Sequence, residues 1–309
     1  MSGTPAAWDR AANRGGCGRE IPYDARMGAL DVDTELQARG DGRYAATVSR
    51  DWEIWGPNGG YLAVLALRAA GVHTPLRRPV SFACHFLGVA DFAPVDLEVR
   101  TLRRTKRVES MAVSMTQGGQ PILEALVWVV GDGADGLEHE AWTMPVVDAP
   151  RTLATMGDRL PDDQPILPFW NNLECRPLAW IDDWDHRPPG EFRERAWYRF
   201  RPTPTFSDPF LDAGRALLVL DTVFWPAAMH GHVGDIGWYA PSVDVQVRFH
   251  ALVPEDEFLL ADAHSPIARD GLVGGAGSIW SESGTLLATG GQQMLCRPRT
   301  LNPNPEQRS

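Results

Sequence analysis

The chain has 309 residues, 44% of them hydrophobic, with a formal net charge of −11. That length suits two domains with a sizeable core. The acidic balance argues against a general nucleic-acid binder, which needs a basic surface against phosphates, and no apolar run approaches the roughly 20 residues of a membrane span.

Residues 1–27 begin Met-Ser-Gly-Thr-Pro, carry no apolar leader pattern and read as a loose arm. A first repeat is expected over residues 28–144. It opens with a strand near Tyr44–Val48, continues with a helix from about Asn58 to Val72, and goes on to four strands at Val80–Val89, Val95–Leu102, Arg107–Thr116 and Pro121–Val130. The turn Gln117-Gly118-Gly119-Gln120 joins the last two as a hairpin. Residues 145–193 are proline-rich and read as a linker laid over the surface. A second repeat, 194–309, starts with a strand at Ala196–Arg201 and a helix from about Asp208 to Trp225, where Asp208 precedes Pro209 as an N-cap should. Strands follow at Val243–His250, Glu257–His264, Leu272–Trp280 and Thr285–Cys296.

The two halves therefore share one element order. A single shift places Val80 on Val243, Phe86 on Phe249, Leu123 on Leu286 and Ala125 on Ala288. The first helix, with Tyr61, Leu62, Val64, Leu65, Leu67, Ala69 and Ala70, has almost no polar face, so it must be buried on most sides. A central helix wrapped by a curved antiparallel sheet is the hot-dog arrangement. The fold class expected is α+β, a double hot-dog of two fused repeats. The cysteines Cys17, Cys84, Cys175 and Cys296 lie far apart without a CxxC pair, which fits reduced thiols and a cytoplasmic setting rather than a disulfide scaffold or a zinc site.

With these motifs in order, the sequence resembles the acyl-CoA thioesterase II family. The resemblance rests on Gly56-Pro57-Asn58-Gly59-Gly60-Tyr61-Leu62 and Ser81-Phe82-Ala83-Cys84-His85-Phe86-Leu87 in the first half. In the second it rests on Pro241-Ser242-Val243-Asp244, Arg248-Phe249-His250 and Leu286-Leu287-Ala288-Thr289-Gly290-Gly291-Gln292. It implies hydrolysis of medium- or long-chain acyl-CoA without metal or other cofactor, acyl-CoA as the small-molecule partner, and a homo-oligomer. In that family an Asp, a Ser or Thr and a Gln hold the attacking water. The resemblance puts Asp244 on the Asp, Gln292 on the Gln, and Ser265 of Ser265-Pro266 on the hydroxyl. Ala83 and Ala251 stand where the family carries His and Arg.

These residue types suit the reaction. A carboxylate accepts the proton of water, an amide fixes that water from a second side, and free N–H groups at a helix start can face an oxyanion. Gly59, Gly60 and Tyr61 open the first helix and are the oxyanion and substrate-binding candidates. Arg103, Arg104, Lys106 and Arg107 form the densest basic run, available to CoA phosphates or simply a solvated hairpin tip. Asp244 also fits a plain solvated strand face, because Val243, Val245 and Val247 alternate with polar residues. His230 and His232 read as a loop. No Gly-x-Ser-x-Gly elbow, Walker A loop or dinucleotide fingerprint is present. The competing expectation is a hot-dog protein that binds acyl thioesters or a partner without catalysis.

Overall fold

The computed structural model describes residues 27–299 apart from 134, 162, 163, 165, 185 and 235. The arm read over residues 1–27 therefore lies, but for Met27, outside the described residues. The elements, in chain order, are strands β1 (Gln37–Gly40) and β2 (Arg43–Thr47), helix α1 (Gly59–His73), and strands β3 (Arg78–Phe86), β4 (Pro94–Arg104), β5 (Val108–Gln117) and β6 (Gln120–Val130). Then come β7 (Leu173–Pro177), β8 (Arg193–Phe200), helix α2 (Pro209–His230), β9 (Trp238–Tyr239), β10 (Asp244–Phe249), β11 (Phe258–Arg269), β12 (Leu272–Ser281), β13 (Leu286–Leu295) and β14 (Arg297–Pro298).

Twelve strands form one antiparallel sheet in the order β1-β2-β4-β5-β6-β3-β10-β13-β12-β11-β8-β7. The order reads the same from either end, repeat by repeat, and the halves meet where β3 pairs with β10. Both long helices lie on the inner face. This is the double hot-dog read from the sequence, with no helix between the four consecutive strands of either repeat. The uniform shift between repeats does not hold to the last strand. Ala83 opposes Leu126, while its counterpart Gln246 opposes Gly291 rather than Thr289.

The core explains the helices. From Gly60 to Leu67 every residue of α1 is buried, as is every residue of α2 from Phe210 to Phe224. Each buried large aliphatic chain contributes about 1.5–3 kcal/mol. Asn58 caps α1 by accepting from Tyr61 N, and Asp208 caps α2 by accepting from Phe210 N and Leu211 N. The helix α2 runs past Pro226, where the sequence reading stopped it at Trp225. Proline removes one hydrogen bond, but Ala227, Ala228 and Met229 are still buried beyond it. The linker is likewise more than a surface wrap. Met156, Phe169 and Leu173 are wholly buried, and β7 extends the sheet beside β8. No helix among the described residues is long and apolar enough to cross a membrane.

Candidate active site

Helix α2 carries an acid where its neighbours are apolar. Asp221 follows Leu217-Leu218-Val219-Leu220 and is 7% exposed. A buried carboxylate is expensive unless hydrogen-bonded, and Asp221 is served from two sides. Gly60 N, at the start of α1, donates to its Oδ2 at 2.6 Å, and Ser242 Oγ donates to its Oδ1 at 2.9 Å. Gln292, 5% exposed on β13, donates from Nε2 to the Asp221 carbonyl at 3.4 Å and holds its Oε1 3.4 Å from Ser242 Oγ. Ser242 has one proton, and the shorter contact gives it to Asp221. Gln292 Oε1 keeps its acceptor capacity free on that side.

Burial raises the Asp221 carboxyl to a pKa of about 6, against the lowering effect of its bonds from Ser242 and Gly60. It is thus ionised, yet basic, near neutral pH. Burial also pushes the Cys84 thiol, which feels the Asp221 charge, well above its usual range. A protonated, buried thiol is no nucleophile.

The glycines at the start of α1 are what let the two helices touch here. A Cβ on Gly60 would lie 2.9 Å from Leu218 Cα, and one on Gly59 would lie 3.1 Å from Asp221 Oδ2. Tyr61 N is taken by the Asn58 side chain. Among the described residues Gly59 N–H has no hydrogen-bond partner, so it is the donor left open at the positive end of the helix.

Two matches fit this arrangement. The acyl-CoA thioesterase N-terminal domain matches residues 48–130, and the acyl-CoA thioesterase C-terminal domain matches residues 150–296. The chain belongs to the acyl-CoA thioesterase family. It is a thioester hydrolase with an acyl-CoA substrate. No curated protein sequence matches it. Among solved structures it is similar to a hot-dog protein of unknown function from Alicyclobacillus acidocaldarius, with 22% identity, 89% of this chain and 100% of that one covered, and a TM-score of 0.73. It is also similar to an acyl-CoA thioesterase II of Mycobacterium marinum, with 21% identity, 88% and 99% covered, and a TM-score of 0.71. A third likeness is the tesB protein of Mycobacterium avium subsp. paratuberculosis, with 24% identity, 88% and 100% covered, and a TM-score of 0.67. At these identities the likenesses establish the shared fold.

The thioesterase brings together only part of the set nominated from its sequence. Gln292 stands in the cluster; Asp244 and Ser265 do not. Asp244 belongs to the outward row of β10, opposes His85, and accepts from Gln293 N at 2.7 Å. The cause is a register slip. Gln246 faces Gly291, but Ser242 bridges Met294, one residue short of the continuous ladder. A slip of one residue flips the face, so Ser242 turns inward while Asp244 stays outside. Ser265 is buried elsewhere, its Oγ donating to Gly274 O at 3.0 Å in a β11 bulge. Tyr61 also points away, stacking on Trp52 and donating from its hydroxyl to Asp33 O.

Gly60 holds the carboxylate with its N–H rather than leaving it for an oxyanion. The basic run sits at the wrong end of α1. Arg104 pairs with Glu109 at 2.7 Å, Glu109 accepts from Thr74 just past the helix, and α1 spans about 22 Å from Gly59 to that end. Arg103, Lys106 and Arg107 share that hairpin. The missed residues had signals: an acid directly after the apolar run Ala216–Leu220 for Asp221, and a hydroxyl two residues before Asp244 for Ser242.

Proposed function

We propose that this enzyme hydrolyses medium- or long-chain acyl-CoA to fatty acid and CoA with a water held between Asp221 and Gln292. The observation that carries the reading is the buried Asp221 carboxylate, set between a serine hydroxyl, a glutamine amide and the start of α1. One water proton goes to Asp221 and the other is accepted by Gln292 Oε1, which aims an oxygen lone pair at the thioester carbon. Ser242 orients the carboxylate. As the C–O bond forms, charge moves to the carbonyl oxygen, which faces Gly59 N–H and the helix dipole. Collapse breaks the C–S bond. The CoA thiolate leaves and takes up the proton from Asp221, and the acid product ionises.

A carboxylate with a pKa of about 6 supports the role of general base, since it is both ionised and basic at neutral pH. The free Cys84, Cys175 and Cys296 support a cytoplasmic setting. Trp128 and Leu126, exposed on the outer face of the sheet, support association of copies. The test is a thiol-release assay over acyl-CoA chain lengths with the wild type and Asp221→Asn. Release by the wild type and a 10²–10⁴-fold lower kcat in the folded variant are expected. Equal rates would remove Asp221 from the chemistry. No release at any chain length would favour a protein that binds acyl thioesters without cleaving them.

A further inference from the structure

A mainly apolar cavity of about 610 Å³ lies against the C-terminal half of α2. That volume falls in the range of small-molecule sites. Trp225 and Met229 of α2 form one wall, and Ile267 and Val273 of the β11–β12 hairpin form another. The hairpin is bulged where it lines the cavity. His264 opposes Ala276 and Ile267 opposes Gly274, so Ser265 and Pro266 are fitted against a single residue, Gly275. Proline at 266 donates no hydrogen bond to close the gap.

The position of this cavity matters more than its size. Asp221, Trp225 and Met229 recur every four residues and share one face of α2, each step about 6 Å along the axis. Side chains on a helix lean toward its N-terminus, so the Trp225 indole leans over the turn that carries Asp221. Trp225 is only partly buried, and its open side is the cavity. Strand β13 repeats the relation, carrying Gln292 in the cluster, and Cys296, just beyond its end, lines the cavity. Carboxylate and cavity thus follow one another along the same two elements, with Trp225 between them on α2. Ser265, nominated from sequence for the chemistry, lines the cavity instead.

We propose that this cavity is the acyl chamber of the enzyme and that Trp225 sets which chains enter it. The inference rests on the hydrolysis reading above. A thioester carbonyl held at Gly59 and Asp221 would direct its alkyl chain past Trp225 toward Met229 and Ile267. Each methylene buried there should raise kcat/KM about 3- to 4-fold until the chamber is full.

The experiment combines rates with direct binding. Thiol release is measured with butyryl-, octanoyl- and dodecanoyl-CoA, and dodecanoate is titrated calorimetrically. The proteins are the wild type, Trp225→Ala, Ala228→Phe, which fills the cavity from α2, and Ile267→Asp. Ile267 is 51% exposed, so the last variant charges the mouth without threatening the fold. Ala228→Phe and Ile267→Asp should each lower the dodecanoyl-to-butyryl ratio of kcat/KM at least 10-fold and weaken dodecanoate binding likewise, while Trp225→Ala shifts the preference to longer chains. Val32→Ala, at an exposed side chain of the first repeat, should leave the ratio alone. Unchanged ratios together with equal dodecanoate affinity in all proteins would overturn the chamber. Dodecanoate binding that the two blocking variants abolish would support it even if no thioester is cleaved, in which case the hydrolysis reading alone fails.

Discussion

Asp221 is caught between two requirements. The proposed reaction needs its charge, and its burial opposes the charge. Because its folded pKa of about 6 lies above the ordinary aspartate value of 3.8, the native state binds the proton more tightly than the unfolded chain. Stability from this group is therefore greatest below about 3.8, falls as pH rises through the interval to 6, and is lost above it, at a cost of about 3 kcal/mol. Two outcomes follow. The pH profile of kcat/KM should rise through an apparent pKa near 6, and Asp221→Asn should flatten that limb. The same variant should be roughly 1–3 kcal/mol more stable than the wild type at pH 8 but not at pH 4, read from denaturant melts. A wild-type rate with no acidic limb between pH 5 and 7 would count against Asp221 as the base. Gln292 was nominated through the family resemblance of Leu286-Leu287-Ala288-Thr289-Gly290-Gly291-Gln292, and it stands in the cluster. Asp221 was hidden because a periodicity reading treats a mainly apolar helix as core and passes over an acid within it. Asp244 was nominated through the resemblance, against an alternation that reads as a solvated face, and the slip that turns Ser242 inward leaves no mark in such a strand.

At the level of elements, the site exists only where the start of α1 meets the middle of α2. Gly60 makes that meeting possible, since an added Cβ would press on Leu218 Cα at 2.9 Å and Leu218 O at 3.0 Å, backbone atoms that cannot swing aside. Gly60→Ala should push the helices apart and lengthen the Gly60 N–Asp221 bond. The expected result is a kcat reduced at least 10²-fold with a stability loss of about 1–3 kcal/mol. Gly118→Ala, in a hairpin turn with φ of 56° and open space around it, should cost stability from strain but leave kcat within about twofold. Equal kcat losses in both would mean that the loss comes from general destabilisation. The elements themselves were largely readable. Strands bounded by turn signals and helices with capping residues came out within a few residues, as with Gly59–His73 against the expected Asn58–Val72. Exceptions include β7, inside the expected linker; β11, which runs to Arg269 past the expected His264; and the tail of α2, where packing overrides a proline.

At the scale of the molecule, two repeats could in principle make two sites, and the arrangement of buried acid and bare helix start occurs at one of them. The helices run antiparallel across each other, with Gly60 beside Leu218, Val64 beside Gly214 and Gly71 beside Phe210. Matching the helix caps, Asn58 on Asp208, places Gly71 on Asp221 and Phe210 on Gly60. The mirror of the carboxylate is thus a bare glycine. The mirror of the open helix start is Phe210, preceded by Pro209, which has no N–H, and capped by Asp208. A Cβ on Gly71 would lie 2.4 Å from the Phe210 ring, so the aromatic occupies the space where a second acid would stand. Active-site titration with a tight acyl-CoA analogue should therefore give one site per chain. Phe210→Ala should not create a second, because neither a base nor a free N–H pair would be exposed. Its effect should be structural, about 3–5 kcal/mol of stability lost from a 4% exposed ring, with kcat/KM within about twofold of wild type at a temperature where the variant is folded. A stoichiometry of two, or a kcat that collapses in folded Phe210→Ala, would mean that the first-repeat face contributes to turnover and that the asymmetry of the helix crossing has been misread.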